Sequence, residues 1–274
     1  MHLLISLLEF LLPVLYFGTV WLYARAFFSG VRFAETVKTP ILVVTLLLHA
    51  AYIIARTTLL AHPPITSMFE ILSLIAFTVA LVYAYIQMRT RNSATGYFIL
   101  MLPFFFQLVS SVFIKETVDV PPMLQSNLLG FHVSSAFLGY AAITISAVYA
   151  FLYLMLYHDI KSKQFGVVYK RLPNLETLER MSFTATIFGF LLLTIAIIVG
   201  IIWLPRAFGS FAFTDPKLFG TVAIWVVYAL GLAAKKLIGW QGRRMMMLSV
   251  FGFALAVFSI TIINIFFTQF HRFY

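Results

Sequence analysis

Six histidines and no cysteine define the metal and redox chemistry open to this 274-residue chain. Without thiols, disulfides, thiolate metal sites and cysteine nucleophiles are excluded, and the imidazoles become the candidate ligands. Two of them sit at the edges of long apolar runs. His132 opens one, in LLGFHVSSAFLGYAAIT, and His271 closes another, in FFTQFHRFY. Lying between them, PRAFGSFAFTDPKL (205–218) joins two further apolar runs and carries Phe208, Phe211 and Phe213 where a polar connector is usual. Two neutral imidazoles at one level beside a flat aromatic surface would suit axial ligation of a haem iron. Both also read as interfacial histidines, whose amphipathic rings sit at helix ends, because spacing gives shared depth and not contact.

The other titratable residues divide in the same way. His49 falls in the middle of an apolar run, either as a buried hydrogen-bonded ring or as a ligand. His62 precedes Pro63 and Pro64 in a tight connector and reads as structural, while His2 and His158 lie at run ends. Arg56 and Glu70 flank one connector, and an ion pair is expected because an unpaired charge at that depth is costly. Glu9 is similarly deep with no evident partner.

The elements that must position these groups are membrane helices. Hydrophobic residues make up 62% of the chain and charged residues 10%, and mean hydropathy is +0.99. Soluble domains are nearer half apolar and a quarter charged. A helix needs about 20 mostly apolar residues to cross a hydrocarbon core of roughly 30 Å. By that measure there are eight spans, near 4–26, 40–61, 67–88, 95–114, 128–157, 182–204, 218–237 and 245–268. The expected fold is an all-α polytopic membrane bundle forming one integral membrane domain over 1–274, with no separable soluble part. The start MHLLISLLEF lacks a basic segment and a cleavage site, so it reads as a first span and not a signal peptide.

The net charge of +10 does not point to nucleic acid, since the basic residues lie in short connectors. Only Arg56, Lys115, Arg206, Lys217 and Arg272 of the 19 lysines and arginines fall on one side of the expected topology. The positive-inside rule then places both termini and the 205–217 connector outside the cytoplasm.

Several stretches together resemble the integral membrane cytochrome c assembly family, which includes the CcsA/ResC, CcmC and HemX-type proteins. They are LHAAYIIARTTLLAHPPITSMFEILSLIAFTVALVY, LLGFHVSSAFLGYAAITISAVYAFLYL and LPNLETLERMSFTATIFGFLLLTIAIIVGIIW, in order along most of the chain. The family signature is a tryptophan-rich external loop, W-G-x-Y-W-x-W-D-P-K. Here it reads Phe208-Gly209-Ser210-Phe211-Ala212-Phe213-Thr214-Asp215-Pro216-Lys217. Gly209, Asp215, Pro216 and Lys217 match; Phe208, Ala212 and Thr214 replace the tryptophans, and Phe211 replaces the tyrosine. Trp225 matches in the next span, but Ala233 stands where CcsA-type members carry a histidine.

The resemblance implies a haem-handling protein of cytochrome c biogenesis, with haem b at the extracytoplasmic face and His132 and His271 as axial ligands. Phe208, Gly209, Phe211 and Phe213 would form the aromatic floor. Arg206, Lys217 and Arg272 would neutralise propionates by charge-assisted hydrogen bonds. Asp215 belongs to the matched loop, although Asp before Pro ahead of an apolar run reads first as a helix cap. Such a protein is a chaperone or accessory subunit more than an enzyme. Its expected partners are membrane lipid, an apocytochrome c and a cytochrome c assembly subunit, and its expected home is a bacterial inner membrane. The alternative is a HemX-type regulator acting on glutamyl-tRNA reductase levels. A secondary transporter ranks last, since paired broken helices and internal symmetry are not evident.

Overall fold

The structure is a computed structural model that describes residues 2–60, 64–65, 67–114, 127–208 and 216–259, with the side chains of 127, 204–208, 216 and 217 left aside. Among these residues the chain is helical and has no strand. The order is α1 (His2–Ala24), a π-helical turn (Arg25–Ser29), α2 (Arg32–Leu60), α3 (Met68–Thr90), α4 (Gly96–Phe113), α5 (Asn127–Lys161), α6 (Val167–Arg171), α7 (Leu175–Phe208), α8 (Pro216–Ile238) and α9 (Arg243–Phe258). Seven of these stretches are long and apolar enough to cross a membrane. The eighth expected span, 245–268, is described only through its first part, α9.

Burial follows the logic of a bilayer. Leu3, Phe10 and Leu237 are 78%, 77% and 78% exposed, while Thr19, Thr45, Arg56 and Glu70 are buried. Large apolar side chains on the outside and charged ones buried inside are stable when lipid is the solvent, and the protein is a multi-pass membrane protein.

Two compact units emerge, Met1–Pro121 and Pro122–Phe273. In the first, α1 packs on α2 and α4, and α3 packs on α2 and α4. Ile5, Leu8 and Leu12 of α1 meet Tyr52 and Ala55 of α2 in one apolar cluster. α3 begins at a full capping box: the Ser67 hydroxyl accepts from the Glu70 N–H at 3.2 Å, and the Glu70 carboxylate accepts from the Ser67 N–H at 3.3 Å. This satisfies two N–H groups that lipid could not.

In the second unit α5 and α7 run antiparallel along most of their lengths, and α9 packs on α5 and α8. Their contact repeats every seven residues. Gly139 faces Leu193, and a Cβ at Gly189 would lie 2.8 Å from Ile143 Cγ1 and 3.3 Å from the Gly139 carbonyl. One heptad further along α5, Ser146 meets Ser182 and Thr186 of α7. Missing side chains let the two backbones approach, as in other membrane helix pairs, and a seven-residue repeat keeps one seam facing the partner.

α7 starts at Leu175, a turn and more before the apolar run at 182. Its first turn is capped by Asn174, whose side-chain oxygen accepts from the Thr177 N–H at 2.9 Å. The polar stretch NLETLERM is therefore the opening of a membrane helix, and not a solvated connector. Glu179 within it accepts from Lys235 Nζ at 3.2 Å and from the Gly242 N–H at 3.1 Å, tying the turn between α8 and α9 to α7.

Candidate functional site

His132 lies in the second turn of α5, one heptad before Gly139, so the α5–α7 seam carries its ring onto α7. Its Nδ1 lies 2.8 Å from the carbonyl oxygen of Ala196. A carbonyl can only accept, so Nδ1 carries the proton and donates. In the neutral form of such a ring the lone pair is on Nε2. The ring packs over Gly200, where a Cβ would stand 2.9 Å from Cε1 and 3.0 Å from Nδ1. The imidazole is half-buried. A backbone carbonyl behind the far nitrogen is how proteins set the tautomer and direction of a metal-binding histidine, and a single imidazole held this way suits one ligand position.

Of the other expected site residues, His271, Arg272, Gly209, Phe211, Phe213 and Asp215 lie outside the described residues. Arg206 and Phe208 fall in the last turn of α7 and Lys217 in the first turn of α8, with their side chains also outside. α8 begins at Pro216, where the sequence expected the seventh span to open. Trp225 donates its indole N–H to Thr194 Oγ1 at 2.8 Å and stacks on Phe190, so it joins α8 to α7. Ala233, in the position of the expected histidine, is exposed on α8.

His49 resolves as a hydrogen-bonded core residue. Ser73 donates to Gln107 Oε1 at 2.8 Å, so its oxygen accepts from His49 Nε2–H at 3.0 Å. That leaves Nδ1 to accept from the Tyr16 hydroxyl at 3.0 Å. Gln107 continues the chain by donating to Ser111 at 3.0 Å. Both ring nitrogens are engaged across α1, α2 and α3, which disfavours an intramembrane metal role.

Arg56 and Glu70 pair as the sequence expected, with Nη2–Oε1 at 2.9 Å and both side chains buried. Glu9, which had no evident partner in the sequence, lies close enough to Arg56 to favour its positive charge. Sequence reasoning missed a four-hydroxyl cluster in the second unit: Ser146 Oγ lies 3.1 Å from Ser182 Oγ, 2.7 Å from Thr186 Oγ1 and 2.9 Å from Ser249 Oγ, joining α5, α7 and α9. It also missed Ala196 and Gly200. The signal for Ser146, Ser182 and Ala196 was the heptad spacing of small residues along α5 and α7. Among the described residues, no three carboxylates or histidines gather to hold a metal ion.

The model of the cytochrome c assembly protein family matches residues 64–271. The chain belongs to the cytochrome c assembly protein family. It is 28% identical over 225 residues to the cytochrome c biogenesis protein CcsA of Heterosigma akashiwo, covering 69% of this chain and 70% of that one. It is 25% identical over 271 residues to CcsA of Trieres chinensis, covering 88% and 87%. It is also 26% identical over 220 residues to protein HemX of Brevibacillus brevis, covering 80% of each. In this cytochrome c assembly protein, α1 and α2 precede the family match. The Arg56–Glu70 pair and the His49–Ser73 bond fasten α2 to α3, the first helix inside it.

Proposed function

We propose that the protein handles haem during cytochrome c biogenesis, holding it at the extracytoplasmic face between His132 and His271. The observation that carries this reading is the bond from His132 Nδ1–H to the Ala196 carbonyl at 2.8 Å, which makes Nε2 the nitrogen that a metal would take. Haem is cargo here, and its iron supplies the site that imidazole nitrogens coordinate. The rest falls to the chain. Phe208, Phe211 and Phe213, with Gly209, offer an apolar floor for a flat macrocycle. Arg206, Lys217 and Arg272 would neutralise its carboxylates, and Asp215 would cap α8. An apocytochrome c, with an assembly subunit, receives the cargo on the same face. The proposed home is a bacterial inner membrane.

The test is an absorption spectrum of the protein purified with haem present, compared with His132→Ala and His271→Ala. A bis-imidazole spectrum in the wild type, lost in both variants, is expected. A spectrum indifferent to both substitutions rejects the assignment.

A second reading draws on the HemX relative, matched over 80% of each chain, and on Phe208, Ala212 and Thr214 in place of tryptophans. By that resemblance the protein sets glutamyl-tRNA reductase levels. Deleting it would then change the level of that enzyme and leave c-type cytochromes unchanged, whereas the first reading requires the cytochromes to fall.

A further inference from the structure

Resting on the haem reading above, we infer that α7 chooses which nitrogen of His132 binds iron: the Ala196 carbonyl commits Nδ1 to hydrogen bonding, and the absent side chain at Gly200 leaves the notch that holds the ring with Nε2 as ligand. Gly200 and Ala196 are positioning residues, since neither offers a side chain that could itself bind iron.

Three observations converge. The acceptor at 2.8 Å from Nδ1 is a backbone carbonyl, whose place is fixed by the helix and which cannot reverse its role as a side-chain amide could. A Cβ at Gly200 would lie 2.9 Å from Cε1, closer than such atoms approach, and a tight 3.0 Å from Nδ1, yet 4.0 Å from Nε2. The notch therefore contacts the edge of the ring that carries the bound proton and spares the edge that carries the lone pair. Finally, residues 196 and 200 are one turn apart on α7. One face of one helix thus supplies both the acceptor and the space.

The consequence of adding a methyl at Gly200 is steric and local. The ring must shift by a few tenths of an ångström, the bond to Ala196 lengthens and bends, and the preference for one neutral tautomer weakens. Gly189 provides the contrast. It sits in the same seam, where a Cβ would press on Ile143 Cγ1 at 2.8 Å, and does not touch His132.

The experiment uses the full chain in detergent with nitrogen-15-labelled histidine, the His132 signal being assigned by its loss in His132→Ala. In wild-type protein without haem, His132 is expected to show a protonated Nδ1 and an unprotonated Nε2. Gly200→Ala should shift that signal toward tautomer averaging and weaken binding of added hemin about tenfold or more, the usual effect of disturbing a ligand's supporting shell. Gly189→Ala should lower thermal stability while leaving the His132 signal and hemin binding as they are. A wild-type ring protonated on Nε2 overturns the inference, and so does a folded Gly200→Ala protein with unchanged His132 signals. Equal effects from Gly189→Ala would reduce Gly200 to ordinary packing and overturn it too. If Gly200→Ala does not fold, the wild-type tautomer decides. Hemin binding that ignores His132→Ala sinks the haem reading instead, while the ring signals still report whether α7 sets the tautomer.

Discussion

Arg56 directs two donors, Nε at 3.1 Å and Nη2 at 2.9 Å, onto a single oxygen of Glu70, and the other oxygen of that carboxylate caps α3 through the Ser67 N–H. One buried carboxylate therefore serves both a helix–helix ion pair and a helix start. Arg56→Leu should leave that carboxylate charged and short of donors, costing about 3–5 kcal/mol. Glu70→Gln should cost a similar amount and also loosen the first turn of α3. Unfolding midpoints in detergent check both, and the double variant should lose less than the two singles combined, because the partners share one interaction.

His49→Ala should destabilise the first unit, since Tyr16 and Ser73 each lose a buried partner at about 1–3 kcal/mol apiece. The haem spectrum should stay the same. A spectrum altered by His49→Ala alone, with the fold intact, would return this ring to the list of ligands.

Ser146→Ala should cost about 1–2 kcal/mol, in the upper range for hydrogen bonds between membrane helices, because one hydroxyl serves α5, α7 and α9 together. Ser182→Ala should cost less, since Ser146 keeps Thr186 and Ser249. Thermal unfolding of the two variants side by side gives the order.

The absence of native cysteine makes topology directly measurable. Gln164→Cys should be protected from a membrane-impermeant maleimide added outside intact cells, and Glu116→Cys should react. The reverse pattern would invert the orientation drawn from the lysines and arginines.

Helix existence was legible because each span needs a long apolar run, and lipid permits few other ways to satisfy a backbone. The Arg56–Glu70 pair was legible for a related reason: two opposite charges at one depth have few affordable alternatives. Helix starts were less so. α2 begins at Arg32 and α7 at Leu175, ahead of their apolar runs, since polar turns capped by residues such as Asn174 extend helices beyond the hydrocarbon. The surroundings of His132 were not legible. Its hydrogen-bond acceptor is a main-chain oxygen, which any residue type supplies, and its seat at Gly200 is a side chain that is not there.

The seven-residue stagger between α5 and α7 makes the pair behave like a toothed rack. His132 engages at Ala196 and Gly200, and two heptads away, about 21 Å along the axis, Ser146 engages at Ser182 and Thr186. Sliding one helix by a single turn would disengage both meshes together. The height of the imidazole is thereby set from the opposite end of the seam, by hydroxyl groups that never approach it.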